Sequence, residues 1–341
     1  MAQKRAVIVG VGAISDAWFP PLIAEGVEVP AVVDLRPDLA KERLAKYPEL
    51  ANTKVSDKLK AALRKYKPDF VIDLTIPDAH CAVTCTALRA GYHVVGEKPM
   101  AASMATARKM VKTAEETGKM YMVSQSRRWD VNDDTVRATV ASGAIGDLTT
   151  FNCDFYVGAH FGGFRDEMPS PLVLDMAIHH FDLARFMSGK DPVAVYAREF
   201  NPKGSWYKGD VAASCIFEMT DGVVFTYAGS WCAEGCHTSW NGDCRYIGNQ
   251  GTLLYAGDKT PHGQVVEKQQ TGALTWPLKD LQINPSPVAH LGMHGALREM
   301  LAFIDGGPVP QTECHDNIKS LAMVFSVIES SKKGRRVPVR A

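Results

Sequence analysis

The sequence predicts an α/β protein in which a doubly wound parallel sheet is followed by a second α/β domain with a large, open, mostly antiparallel sheet. Over residues 1–125, short apolar runs alternate with helical segments, which is typical of a parallel sheet covered on both faces. From residue 193 on, strand-like runs follow one another without helices between them, which favours antiparallel pairing. The 341 residues suit two domains, and the change of pattern places them at 1–125 and 126–341.

Apolar runs bounded by turn residues supply the strands of the first domain. They cover residues 6–12, 29–35, 54–55, 70–76, 93–99 and 120–125. The helices between them have recognisable ends, since Asp78 can cap a helix at 79–90 and Gly91 follows its last residue. Gly118 ends a helix at 103–117 in the same way.

The second domain begins with a helix at 131–142 that Gly143 ends. Strand-like stretches follow at residues 148–158, 193–199, 211–219, 223–231, 244–248 and 251–256. After the first of these, Ser170 as N-cap and Pro171 in the first turn start a helix that Gly189 ends. The elements that close the chain are helices at about 290–304 and 315–331 and an edge strand at 337–340.

Composition and charge argue against several classes of protein. Lys plus Arg and Asp plus Glu both number 38, so the formal net charge is zero and nothing suggests electrostatic binding to nucleic acid. No apolar run approaches the ~20 residues of a membrane span, and the N-terminal residues lack the features of a secretory signal. We therefore expect a cytoplasmic protein with no membrane or nucleic-acid partner.

Cysteine usage predicts free thiols rather than a metal centre. Cys232, Cys236 and Cys244, with His237 beside Cys236, form the cluster that most resembles a metal site. This cluster lacks the closely spaced cysteine pairs that are usual in zinc sites. We expect no bound metal.

A glycine-rich turn, GVGAIS, follows the first strand and opens the first helix. Gly10 stands where a tight turn is needed, and Gly12 stands where backbone must approach a pyrophosphate. Ser15 takes the third glycine position and is small enough for close contact between helix and strand. Ala13 and Ile14 then lie at the amino end of the helix, whose N–H groups attract phosphate. The turn predicts a dinucleotide site in a Rossmann domain.

The second strand ends in an acidic residue, Asp34, which lies 24 positions after Gly10. A carboxylate at this place can accept hydrogen bonds from the hydroxyls of the adenosine ribose, which favours NAD over NADP. Arg36 keeps NADP open, because its guanidinium could pair with a 2′-phosphate.

Four further segments are more specific than the glycine turn. They are TIPDAH at 75–80, GEKPMA at 96–101, SRRWD at 126–130 and LVLDMAIHHFDLARF at 172–186. In order and spacing they resemble the Gfo/Idh/MocA family, the glucose–fructose oxidoreductase and inositol dehydrogenase group, along essentially the whole chain. Two departures, Ser15 for the third glycine and Ser170-Pro171 for a frequent Gly-Gly pair, leave the substrate open.

The resemblance implies that Lys98, Asp175 and His179 are the catalytic residues. The Lys98 ammonium would hydrogen-bond the reacting oxygen and stabilise alkoxide charge as it develops. A histidine that titrates near neutrality suits removal of a hydroxyl proton, which is the role implied for His179. Asp175, four residues earlier on the same helix face, would hold a substrate hydroxyl, orient the base, or do both. A cis peptide bond before Pro99 is also implied.

The remaining site residues are predicted together with structural alternatives. The cofactor-binding set is Gly10, Gly12, Ala13, Ile14, Asp34, Arg36, Thr75, Ile76, Pro77, His80, Glu97 and Lys98. The substrate-binding set is Lys98, Arg128, His160, Arg165, Asp175 and His179. For His80 the alternative is a structural histidine at a helix start capped by Asp78, and for Arg128 it is an ion pair with a nearby aspartate. For His160 and Arg165 the alternative is a plain surface loop.

The resemblance implies NAD(P)-dependent hydride transfer between nicotinamide and a secondary hydroxyl or ketone of a sugar, inositol or sugar derivative. Two alternatives are a non-catalytic dinucleotide- or sugar-binding regulator of the same fold and a reductase of a non-sugar substrate. An open antiparallel sheet also needs its outer face covered, so we expect a homodimer or homotetramer.

Overall fold

The computed structural model describes residues 3–341, which form two compact units. The first unit runs as far as Trp129 and includes Ala289–Leu321, and the second consists of Asp130–Val288 and Ala322–Ala341. The assignment of cofactor binding to residues 1–125 and of substrate binding to 126–341 stays a prediction. Within the described residues, no helix has both the length and the apolar character needed to cross a membrane.

The first unit contains a sheet of six parallel strands in the order β3-β2-β1-β4-β5-β6. Its strands are β1 (Arg5–Val9), β2 (Glu28–Val33), β3 (Lys54–Ser56), β4 (Phe70–Asp73), β5 (His93–Glu97) and β6 (Tyr121–Ser124). Its helices within this stretch are α1 (Ser15–Ala24), α2 (Pro37–Leu44), α3 (Leu59–Tyr66), α4 (Pro77–Arg89) and α5 (Met104–Thr117). The predicted doubly wound sheet is confirmed, and its strand order reverses between β1 and β4, where such sheets bind ligands.

Local sequence explains these elements. Every residue of β4 and β6 is buried, as expected for strands that are covered on both faces. Ser103 caps α5, because its Oγ accepts a hydrogen bond from the backbone N–H of Thr106 at 3.2 Å. Gly118 then ends α5 in the left-handed conformation, with φ of 62°.

The second unit contains a nine-stranded sheet in the order β14-β13-β12-β11-β7-β10-β9-β8-β15. Its strands are β7 (Leu148–Tyr156), β8 (Pro192–Phe200), β9 (Ala212–Met219), β10 (Val224–Ser230), β11 (Asp243–Gly248), β12 (Gly251–Tyr255), β13 (His262–Val266), β14 (Leu278–Asp280) and β15 (Val337–Pro338). Only β7 and β10 pair in parallel, which confirms a mostly antiparallel sheet within the described residues. The edge strand β14 and its neighbour β13 were not predicted, because they are partly or wholly exposed and carry no long apolar run.

In the segment Asp130–Val288 of the second unit the α-helices are α6 (Val131–Ala141), α7 (Phe164–Glu167) and α8 (Ile178–Ser188). The Asp130 carboxylate caps α6 by accepting from the backbone N–H of Asn132 at 2.8 Å. A π-helical turn, Leu172–Ala177, precedes α8. The sequence predicts one regular helix from Ser170 to Gly189, and the structure corrects this at its first turns.

The core of the second unit lies between α8 and one face of the sheet. The Phe181 ring of α8 meets the Phe217 ring of β9 edge-on, with centroids 5.1 Å apart. The adjacent residue of β9, Ile216, points to the opposite face and is 51% exposed. This alternation leaves one face of the sheet outside the core.

Two helices close the chain near the predicted positions, α9 (Gly292–Ile304) and α10 (Cys314–Lys333). Helix α9 packs against α1 and belongs to the first unit. Its Gly295 also allows a close approach to Trp129 of the same unit. A Cβ at Gly295 would lie only 2.3 Å from the Trp129 ring. The Trp129 indole N–H also donates to Glu299 at 3.0 Å, so Trp129 is a packing residue.

Glu199 is a carboxylate on the core side of β8, where it is only 5% exposed. Its neighbours include the Ser170 hydroxyl at the start of the π-helical turn, and its Oε1 is buried with no hydrogen-bond partner among the described residues. Burial raises the pKa of Glu199 to about 7, although Ser170 acts in the opposite direction. The folded protein therefore favours the protonated carboxyl.

We expect E199Q to stabilise the protein at pH 8 relative to wild type, with little gain at pH 4.5. A carboxyl whose pKa rises on folding contributes stability below its unfolded pKa and loses it as pH climbs through about 7. The melting temperature of E199Q should exceed that of wild type by about 2–5 °C at pH 8. The control is E218Q on the neighbouring strand, where the exposed Arg336 ion pair lowers the glutamate pKa, and it should show no such gain. Equal offsets at both pH values would contradict the assignment.

Candidate active site

The glycine turn lies where β1 meets β4. Gly10 has φ of 86°, and a Cβ there would lie 2.8 Å from the backbone carbonyl of Leu74. Gly12 is different, because a Cβ at that position would meet nothing within 4 Å. Gly10 therefore makes the tight turn possible, while Gly12 faces open space that can admit a phosphate group.

The turn is tied to the amino end of α1. The Ser15 hydroxyl donates to the carbonyl oxygen of Gly12 at 2.7 Å, and Ser15 is fully buried. Serine thus fills the third glycine position without disturbing the turn. Ala13 and Ile14 lie at the positive end of the helix dipole, where an anionic phosphate is stabilised.

Asp34 follows β2 and joins two neighbouring loops. Its Oδ2 accepts from the backbone N–H of Val11 at 2.7 Å, and its Oδ1 accepts from the backbone N–H of Arg36 at 2.8 Å. Each carboxylate oxygen has a second lone pair for a ribose hydroxyl. The Arg36 side chain is exposed beside it. With the open glycine turn, this carboxylate fits a dinucleotide.

A buried carboxylate that sequence reasoning missed, Asp73, organises the residues after β4. Asp73 is fully buried and accepts from the hydroxyl of Thr75 at 2.5 Å and from that of Thr84 at 3.0 Å. His80 Nδ1 lies 3.2 Å from the same carboxylate. The available signal was an acidic residue that ends an otherwise apolar strand, FVID. This network fixes the start of α4, where the predicted residues Ile76 and Pro77 lie.

The alternative interpretation of His80 is a helix-start histidine capped by Asp78. Its capping part is wrong, because Asp78 does not cap α4. The N-cap of α4 is Ile76, and no side chain makes a cap hydrogen bond there. His80 is instead 1% exposed and lies inside the Asp73 network. Its other ring nitrogen, Nε2, is buried without a hydrogen-bond partner in the described part of the chain.

Glu97 and Lys98 lie at the carboxyl end of β5. The buried Glu97 carboxylate accepts from the Trp18 indole N–H at 2.8 Å and from the backbone N–H of Lys98 at 3.1 Å. Burial raises the pKa of Glu97, and the hydrogen bond from Trp18 partly offsets this. The Lys98–Pro99 peptide bond is cis, as the sequence resemblance implied. Lys98 is partly exposed at the same sheet edge as the glycine turn.

In the second unit, Asp175 and His179 are the titratable residues that remain partly exposed in an otherwise mostly buried segment, 171–180. Asp175 lies on the π-helical turn and His179 on the first turn of α8. Helical turns of the π type occur frequently at functional sites. His180 points elsewhere, since it is 2% exposed and hydrogen-bonds the Tyr227 hydroxyl at 3.2 Å.

The structure brings Arg165 to Asp175. The Arg165 Nε donates to Asp175 Oδ2 at 2.6 Å. Its guanidinium lies over the rings of Phe161 and Phe164, at 4.9 and 4.7 Å from their centroids. The two aromatic contacts and the charged hydrogen bond place the Arg165 head group beside the Asp175 carboxylate.

The other two predicted substrate residues have different surroundings. His160 is 62% exposed at its side chain, stacks on Trp206 with centroids 3.8 Å apart and pairs with Glu234 at 2.6 Å. Arg128 is buried and pairs with Asp316 at 2.7 Å within the first unit. This ionic partner lies 188 positions away along the chain. A substrate role for either residue stays a prediction.

Comparison with known proteins now supplies the family. Residues 4–125 match the family model described as an oxidoreductase family with an NAD-binding Rossmann fold, and residues 134–254 match the GFO/IDH/MocA C-terminal domain. The chain belongs to the Gfo/Idh/MocA oxidoreductase family. Its cofactor is a nicotinamide dinucleotide, NAD, and its N-terminal residues have the open glycine turn and the acidic residue that such a group needs.

Several proteins resemble the chain over most of its length. The uncharacterized protein y4oX of Sinorhizobium fredii is 27% identical, with 98% of this chain and 96% of that protein covered. A D-apiose dehydrogenase of Rhizobium rhizogenes is 28% identical, with 80% of each chain covered. An Agrobacterium radiobacter oxidoreductase, solved with NAD+, L-tartaric acid and magnesium, has a TM-score of 0.83 at 23% identity, with 99% of each chain covered. This last likeness establishes the fold.

We expect G10A to weaken NADH binding at least about tenfold, because a Cβ would collide with the backbone of Leu74 and displace the turn. The matched control is G26A at the other end of α1. Gly26 also has positive φ, 63°, but a Cβ there would meet no atom within 4 Å. Fluorescence titration with NADH should show that G26A retains wild-type affinity. A G10A protein that binds NADH as tightly as G26A does would contradict this role of the turn.

Proposed function

We propose that this oxidoreductase transfers hydride reversibly between nicotinamide and a secondary hydroxyl or ketone of a sugar, inositol or sugar derivative. The observation that carries the proposal is the accessible Asp175 and His179 pair on an otherwise mostly buried helical segment. Polyols present several hydroxyls, so they suit a site that offers more than one charged hydrogen-bonding group. The relative from Rhizobium rhizogenes, named as a dehydrogenase of D-apiose, supports a sugar-like substrate.

The bound dinucleotide supplies a hydride acceptor, or a donor in the reverse direction, at C4 of its nicotinamide. In the oxidative direction, a ring nitrogen of His179 takes the proton of the reacting hydroxyl. The Lys98 ammonium donates a hydrogen bond to the same oxygen as negative charge develops on it. In the reductive direction His179 returns the proton.

Asp175 binds substrate through its carboxylate, and Arg165 sets the charge of that subsite. The ion pair at 2.6 Å orients the carboxylate, because the guanidinium is itself held by two aromatic rings. An ionised carboxylate accepts hydrogen bonds from substrate hydroxyls. The same ion pair would disfavour the binding of an anionic substrate group directly at Asp175.

The preferred dinucleotide is NAD. The Asp34 carboxylate at the end of β2 would repel the 2′-phosphate of NADP while accepting a hydrogen bond from a free ribose hydroxyl. The exposed Arg36 leaves weaker use of NADP open.

The location is proposed to be the cytoplasm. All eight cysteines are free thiols in the structure, and the exposed Cys236 is among them. Free thiols suit a reducing compartment.

The exposed face of the nine-stranded sheet is the proposed interface of a homodimer or homotetramer. Tyr196 of β8 and Ile216 of β9 pair directly and are 50% and 51% exposed, and Phe200 is 42% exposed further along β8. Neighbouring outward apolar side chains on a sheet face are typical of a self-complementary contact.

We expect K98A and H179A to lower kcat by about 10²–10⁴-fold with a sugar or polyol substrate. The assay follows NADH fluorescence over a panel of sugars, polyols and sugar acids. H179A should retain NADH affinity, since His179 is assigned to proton transfer. The controls are K112A and H262A, because Lys112 and His262 are exposed and have no role in the proposed reaction. Full activity in K98A would overturn the role given to its ammonium.

We expect I216D to reduce the oligomer to single chains of 37.2 kDa in light scattering after gel filtration. A charge in the centre of the sheet face would have to be buried unpaired in the assembly. L274D is the matched control, because Leu274 is fully exposed in a loop at 101%. An I216D protein with the same mass as wild type and L274D would show that this face is not the interface.

A further inference from the structure

A cluster of metal-ligating side chains lies in the first unit, away from the glycine turn. Glu25 follows the last residue of α1, His294 lies in the first turn of α9, and His290 lies two residues before that helix. One ligand atom from each of the three residues lies within 4.8 Å of the other two. We propose that these residues bind a divalent transition metal, with zinc as the best match.

The donor set determines the class of metal. Two imidazole nitrogens and one carboxylate oxygen are ligands that zinc takes in proteins, and three protein ligands leave a fourth position for water. Around a tetrahedral ion at 2.0–2.1 Å, ligand atoms lie about 3.3 Å apart. Rotation of the partly exposed side chains can close the remaining gap, since none of the three is locked in the core.

The cluster already has the contacts expected of an assembled site. His294 Nε2 lies 2.6 Å from Glu25 Oε1, and the His290 and His294 rings are 4.4 Å apart. A bound ion would take the place of the hydrogen shared by His294 and Glu25, with the Nε2 lone pair directed at the metal.

Arg298 shapes the carboxylate ligand. It donates to Glu25 Oε2 at 2.7 Å, which leaves Oε1 directed at the histidines. Partners of this kind orient the carboxylate ligands of metal sites. The guanidinium charge also repels a cation, so we expect micromolar rather than nanomolar affinity.

The position of the cluster suggests a structural role. The ten-residue α1 separates Glu25 from the glycine turn by about 15 Å, at 1.5 Å per residue. A metal there would not occupy the dinucleotide site. It would instead join the end of α1 to the start of α9, and so fasten the returning C-terminal segment to the Rossmann sheet of the same unit.

A second group of possible metal ligands, which we call the rival cluster, consists of Glu313, Cys314 and His315. Both ring nitrogens of His315 are already engaged, one by Glu313 at 2.7 Å and the other by Glu115 at 3.0 Å. Burial raises the pKa of the Cys314 thiol to about 12, so the thiolate that a metal needs is disfavoured. The Glu25 cluster is therefore the better site.

The test uses full-length, chelator-treated protein titrated with zinc chloride alone in a calorimeter. We expect one ion per chain with a dissociation constant of about 1–10 µM, and a melting temperature raised by about 5 °C at zinc 100-fold above that constant. Cobalt should give the visible bands of a four-coordinate ion. H290A and E25Q should each weaken binding at least tenfold while circular dichroism stays unchanged.

H315A is the matched control and should bind zinc as wild type does. Loss of binding in H315A would move the ion to the rival cluster and overturn the proposal. So would wild-type binding weaker than about 1 mM, or H290A and E25Q proteins that bind as tightly as wild type. Should E25Q fail to fold, H290A alone decides, because His290 precedes α9 and is partly exposed.

Discussion

The close approach of two backbone segments, at Gly10 after β1 and at Leu74 after β4, is the constraint on which the cofactor site depends. A Cβ at Gly10 would lie 2.8 Å from the Leu74 carbonyl, so the two strand ends can meet only where one side chain is absent. The strand order of the sheet reverses at this junction. The glycine turn and the segment that begins at Thr75 therefore open at the same edge, and Lys98 joins them from β5.

Buried carboxylates stabilise the sheet edge at which the glycine turn, Thr75 and Lys98 lie. An ionised carboxylate is costly to bury unless it is hydrogen-bonded, and Asp73 meets that condition with two threonine hydroxyls and His80. Glu97 meets it with the Trp18 indole and the backbone of Lys98. Asp73 fixes the chain immediately before Thr75, and Glu97 fixes the backbone at Lys98. Hydrogen-bonded groups in the interior of the unit thus help to position the residues at the sheet edge.

Sequence alone predicted the parts of the molecule that depend on short stretches of neighbouring residues. The parallel sheet follows from its apolar runs, and the glycine turn, Asp34 and Lys98 follow from short motifs. The π-helical turn at Leu172–Ala177 could not be found in this way, because capping residues specify where a helix starts and not which hydrogen-bond spacing it adopts. Nor could the pairing of Arg128 with Asp316, since those residues lie 188 positions apart. The close approach of α9 to Trp129, which Gly295 permits, is a similarly remote contact.

The ion pair between Arg165 and Asp175 shows why a motif gives residue types but not their chemistry. By spacing, Asp175 could orient His179 or bind a substrate hydroxyl. The structure adds a partner that the motif does not contain, because the Arg165 guanidinium donates a hydrogen bond to the Asp175 carboxylate at 2.6 Å. A carboxylate that a guanidinium holds in place can still accept a hydrogen bond from a substrate hydroxyl, and this is the role proposed for Asp175.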